Sequence, residues 1–146
     1  MTNRQLRLEG PLRLAAGAVL LALAGAVPTP RLATAAGGGD HAQVIFSQKL
    51  PNVPGKTLTA VAVDYAPGGK SNPHHHAGVV FAYVVSGAIR SQVDAGAARV
   101  YHAGETFFEV PGAHHLVSEN ASRSKPAKLL AVFVADDGAD LTMFDQ

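Results

Sequence analysis

The sequence predicts an all-β fold, a closed sandwich or barrel, on three observations. Eight or nine short β-prone runs follow one another, turn residues separate them, and no amphipathic helix interrupts them. The chain has 146 residues, 47% of them hydrophobic and 16% charged, which suits one core and no second domain.

Taken in order, the first element is a leader. Arg4, Arg7 and Arg13 precede an uncharged apolar run at 14–27, too short for the ~20 residues that span a bilayer but suited to a signal peptide. Pro28 and Pro30 break it, and Ala33-Thr34-Ala35 is an A-x-A cleavage pattern. The expectation is a signal peptide over 1–35 and a single domain over 36–146. The mature chain would be periplasmic or secreted, with no stable membrane anchor after cleavage.

Gly37-Gly38-Gly39 opens the domain. Ala42–Gln48 is β-prone, the loop 51–55 turns, and Lys56–Tyr65 alternates with Thr and Val. After Pro67-Gly68-Gly69, the continuous apolar run Val79–Val85 reads as a strand buried on both faces. Ala88–Val93 and Arg99–His102 flank a hairpin turn at 94–97. Thr106–Val110 follows a turn at 103–105, Pro111-Gly112 leads into His115–Glu119, and Ala127–Ala135 is the last long strand. The acidic segment 136–146 has no readable structure.

Composition removes several chemistries. Without cysteine there is no disulfide, thiolate metal site, iron–sulfur cluster or cysteine nucleophile. Beyond Ala35 there are eight Lys and Arg against ten Asp and Glu, a net charge of −2, so no basic face exists for nucleic acid. No catalytic triad, phosphate loop or nucleotide fingerprint is present.

The chemistry rests on histidine. Five of the seven histidines fall in two clusters, His74-His75-His76 and His114-His115. On an extended chain residues two apart share a face, so His74 and His76 can aim at one ion while His75 points away. His115, just after a Pro-Gly turn, is the natural third donor. The alternative for the triplet is a solvated loop.

The spacing resembles the cupin superfamily. Its first motif is matched by Gly68, His74, His76 and Gly87, with Val80 where the family has glutamate. Its second is matched by Gly104, Gly112 and His115, with Val110 at the proline position and Glu119 at the asparagine. Pro111 and Asn120 each lie one residue late. The resemblance covers 68–119 and implies a jelly-roll β-barrel with His74, His76 and His115 as metal ligands. It carries over no glutamate. The cofactor would be a divalent transition metal, Fe²⁺, Zn²⁺, Ni²⁺, Cu²⁺ or Mn²⁺.

Glu109 is a candidate fourth ligand or acid/base group, and its plain alternative is a solvent-facing strand residue. His114 is a candidate alternate ligand or a rim residue, and Tyr83 a candidate catalytic group or an ordinary core tyrosine. His41 and His102 read as surface residues. Val80, Phe81, Phe107 and Phe108 offer apolar lining for a pocket. The expected function is that of a metal-binding, dioxygenase-like oxidoreductase on a small chelating substrate. The rivals are a non-catalytic module for a sugar or acid and a periplasmic metal-binding protein. A homodimer is the expected assembly.

Overall fold

The computed structural model describes residues 39–146. The expected signal peptide and its cleavage point lie outside the described residues. The β-prone runs form strands β1 (Asp40–Lys49), β2 (Lys56–Tyr65), β3 (Lys70–Ser71), β4 (His74–His75), β5 (Val79–Ser86) and β6 (Ala88–Val93). The remainder are β7 (Arg99–His102), β8 (Thr106–Glu109), β9 (His114–Asn120), β10 (Ala127–Asp136) and β11 (Met143–Phe144). No helix occurs among the described residues, and so none there is long and apolar enough to cross a membrane.

The strands make two antiparallel sheets, β1-β2-β10-β5-β8 and β11-β4-β9-β6-β7, with β3 paired to β9. This is the closed all-β architecture that the run of short strands predicts. Strand β10 shows the governing pattern: Ala127, Leu129, Ala131, Phe133 and Ala135 are buried, and the residues between them are half-buried. Every second side chain points between the sheets. Val61 and Tyr65 of β2 and Val80, Ala82 and Val84 of β5 join them, so the inner wall of the five-stranded sheet is largely apolar.

The facing wall is different in kind. The six-stranded sheet turns Ile89 inward, but also His74, Ser91, His115 and Ser118, all buried. The six-stranded sheet thus supplies most of the buried polar side chains, and the five-stranded sheet adds Thr59 and Glu109 to a mainly apolar wall.

Strand β5 corrects the expectation of a strand buried on both faces. Phe81, Tyr83 and Val85 are 45%, 38% and 46% exposed, because nothing packs on the outer face of that sheet among the described residues. Phe81 lies opposite Phe108, itself exposed, so neither lines an interior pocket. Phe107, one residue along, faces inward and is buried in the core.

The four glycines of the family frame, Gly68, Gly87, Gly104 and Gly112, all have positive φ. At Gly87 the requirement is double. Its φ is 73°, and a Cβ there would stand 2.8 Å from the Pro126 carbonyl oxygen. Asn120, one residue past the family position, is buried and joins two loops, the one after β2 and the one after β9. Its amide donates to the carbonyls of Ala66 and Lys125 and accepts from the Ser122 N–H.

Candidate metal centre

Strand register brings the histidines together. Strand β4 pairs with β9 so that His74 stands opposite His115 and His75 opposite His114. Alternation sends the first pair inward and the second outward. The chain then leaves the strand at His76, which is also buried, and crosses to the other sheet through Ala77-Gly78. Gly78 is forced there, since a Cβ would lie 2.2 Å from the Val134 carbonyl oxygen.

Backbone carbonyls orient two of the rings. A carbonyl only accepts, so His74 Nδ1–H donates to Asn72 O at 2.6 Å and His76 Nδ1–H to Leu141 O at 2.8 Å. Each ring then carries its free lone pair on Nε2. His115 differs: its Nε2 lies 2.9 Å from Ser91 Oγ and its Nδ1 faces Glu109 Oε1 at 3.3 Å. One ligand atom from each of His74, His76 and His115 can be chosen so that all lie within 4.8 Å of one another.

The carboxylate arrives from another strand. Val80 occupies the family's glutamate position, and β5 pairs with β8 so that Val80 stands directly opposite Glu109. Glu109 is 3% exposed, with Oε2 3.8 Å from His76 Nε2 and no hydrogen-bond partner. A buried carboxylate oxygen without a partner is costly, and a cation is the group that satisfies it. The three histidines therefore fit a divalent metal through three nitrogens, with the Glu109 carboxylate beside His76 and His115 as the adjoining anionic group.

Electrostatics agree with that fit. Burial, aided by the neighbouring His76 and His115, pushes His74 down to about 4. Burial also lowers His76, so both rings are neutral at physiological pH, as metal ligation requires. Burial opposes charge on Glu109, but the hydrogen bond from His115 and the electrostatic influence of the surrounding imidazoles outweigh it and hold the carboxyl below its usual range.

The cluster opens on a cavity of about 280 Å³ between the sheets. Val80, Leu129, Ala131 and Phe133 line its apolar wall. Its polar end is a chain of hydroxyls that the sequence does not announce. Ser71 donates to Asp40 at 2.6 Å, which makes Ser71 the acceptor for Tyr65 at 3.0 Å and Tyr65 the acceptor for Ser118 at 2.8 Å. Tyr65 is pushed up chiefly by burial and stays a neutral hydroxyl.

The other sequence candidates lie elsewhere. Tyr83 is on the outer face of β5 and does not line the cavity, because its odd position in the strand points away from the other sheet. His114 is exposed on the opposite face of the six-stranded sheet, paired with Asp145 at 2.9 Å, so it is no ligand to the inner cluster. His41 is exposed yet reaches the cavity lining, and His102 is exposed beside Glu105. Segment 136–146, unread from the sequence, places Thr142 and Phe144 against the cavity.

Residues 61–133 match the family model described as Cupin domain. A protein of Klebsiella pneumoniae described as an uncharacterized conserved protein with a double-stranded beta-helix domain is similar in structure. It has a TM-score of 0.58 and 20% identity, over 77% of this chain and 90% of that one. Oxalate oxidase in complex with the substrate analogue glycolate gives a TM-score of 0.59 and 22% identity, over 75% of this chain. The chain spans 56% of that enzyme's length. An RmlC-like cupin from Shewanella frigidimarina gives a TM-score of 0.51 and 28% identity, over 67% of this chain and 78% of that one. No curated protein sequence matches the chain.

Proposed function

The chain belongs to the cupin family, and from that premise we propose that it is a metal-dependent oxidoreductase of the dioxygenase type, acting on a small chelating molecule. The observation that carries this reading is the convergence of three buried imidazoles beside the Glu109 carboxylate, whose partnerless Oε2 lies 3.8 Å from His76 Nε2. His74, His76, His115 and Glu109 would hold the ion. When bound, it supplies Lewis-acid activation and, if redox-active, electron exchange with O₂.

The chain's own residues do the rest. The Asn72 and Leu141 carbonyls hold the His74 and His76 rings in the tautomer that leaves Nε2 free. Val80, Leu129, Ala131 and Phe133 exclude water from one side of the cavity. Tyr65 keeps its proton and passes hydrogen-bond polarity along Ser71 to Asp40.

The cavity also selects. Among the described residues, Asp40 and Glu109 are its acids and neither Lys nor Arg lines it. A dicarboxylate would find no Lys or Arg there to balance the charge left after it meets the ion, so a neutral or weakly acidic chelator, a diketone or a phenol, suits it better. Oxygen uptake with a panel of diketones and phenols, on protein loaded with Fe²⁺, tests the proposal. Saturable uptake with one of them is expected. Tight binding of such a molecule with no uptake by any metal form would favour the non-catalytic binding module instead.

The same reading includes export, with a mature start near Ala36, which intact-mass analysis of protein secreted by its native host would check. It also includes a homodimer through the outer face of β5 and β8, where Phe81, Tyr83, Val85, Phe108 and Val110 are exposed together. Sedimentation as a monomer, unchanged by Phe108→Ser, would remove the dimer.

A further inference from the structure

We infer that the outer face of the six-stranded sheet carries a second divalent-cation site, formed by His75, His114 and Asp145. The inference is independent of the buried centre and does not need it to be catalytic.

The site follows from the strand register. His75 and His114 are a directly opposed pair on β4 and β9, with ring centroids 5.4 Å apart. Asp145 follows β11, and its backbone N–H donates to the Pro73 carbonyl at 3.0 Å, which fixes it beside β4. Its carboxylate lies between the two rings, Oδ1 2.8 Å from His75 Nδ1 and Oδ2 2.9 Å from His114 Nδ1. One ligand atom from each of the three residues lies within 4.8 Å of the other two.

Exposure and donor type complete the case. The His114 side chain is 55% exposed and those of His75 and Asp145 are 30% and 21%, so an ion can enter from solvent without opening the barrel. Two imidazoles and one carboxylate suit Zn²⁺, Cu²⁺ or Ni²⁺, whereas Ca²⁺ and Mg²⁺ require mostly oxygen. Three protein donors leave room for water to complete the shell. A neutral imidazole can carry its proton on either nitrogen, so freeing Nδ1 for an ion needs only a change of tautomer.

Position gives the ion a structural effect. Asp145 follows the segment that closes the cavity: Thr142 and Phe144 line it, and the Leu141 carbonyl orients His76. An ion shared by β4, β9 and the residue after β11 would latch this strand in place.

Zn²⁺ bound per chain, measured by equilibrium dialysis at micromolar free Zn²⁺, tests the site in wild type, Asp145→Asn, His114→Gln and His76→Ala. The two outer variants are expected to hold one ion fewer than wild type, while His76→Ala keeps the ion they lose. Outer variants that hold as much Zn²⁺ as wild type would overturn the inference. If wild type holds a single ion that survives His76→Ala but not Asp145→Asn, the outer site stands and the buried centre fails. Amide hydrogen exchange across 142–145 supplies a second readout. Zn²⁺ should slow it several-fold in wild type and not in His114→Gln, and equal slowing in both would overturn the latch.

Discussion

The two faces of the β4–β9 strand pair differ by one residue step and by nearly everything else. Inside, His74 and His115 are buried and oriented by a backbone carbonyl and a serine. Outside, His75 and His114 share the two oxygens of one aspartate, in contact with solvent. Burial lowers His74 to about 4, while the hydrogen bond and charge of Asp145 raise His114. On these strands His74 is a neutral, preoriented donor on one face, and His114 is a protonatable partner of Asp145 on the other. A run of histidines is thus divided by the pleat into two chemistries.

The comparison breaks most readily at the inner ligands. Replacing His76 by Ala should weaken metal binding by more than ~100-fold, beyond what loss of an outer-shell partner usually costs. His75→Ala should change the affinity of the buried cluster little. Isothermal titration of the two variants would show it, and equal losses would mean that the faces are not distinct.

Next in size is the carboxylate. Glu109→Gln should lower metal affinity about 10- to 100-fold, because the neutral amide no longer offsets the ion's charge. Since Val80 and Glu109 are opposed in register, the transposed variant Val80→Glu with Glu109→Val should regain most of that loss. A transposed protein that folds, by circular dichroism, yet binds no better than Glu109→Val would reject the equivalence of the two positions.

The pH dependence of the metal-free protein sharpens the contrast, because the faces have opposite signs. His74 is held below its unfolded value of 6.5, so its contribution is present above pH 6.5 and is lost as pH falls toward 4, about 3 kcal/mol in all. His114 is raised, so its smaller contribution is present below its unfolded value and lost as pH rises through the folded one. Urea unfolding between pH 4 and 7 should therefore show stability rising with pH. His74→Phe should flatten that rise, and His114→Ala should leave it nearly intact.

The sequence reveals whatever local rules govern. The glycine frame is legible because each of its four positions requires positive φ, and the H-x-H pair because a period of two needs no distant partner. Glu109 is visible only as a candidate, since its place beside His76 depends on pairing with β5 across an intervening hairpin. The run Val79–Val85 misleads because an apolar outer face and a buried one read alike in sequence. Tyr65 and the 141–145 segment escape altogether. The tyrosine acts through serines on separate strands, and β11 is only two residues long.

The central claim is that four buried side chains from β4, its exit, β8 and β9 form one metal centre. Anomalous diffraction from crystals grown with Zn²⁺, measured at the zinc edge, tests it most directly. The account predicts a peak between the sheets in contact with His74, His76, His115 and Glu109. A fully zinc-equilibrated crystal with density only at His75, His114 and Asp145, and none between the sheets, would contradict it.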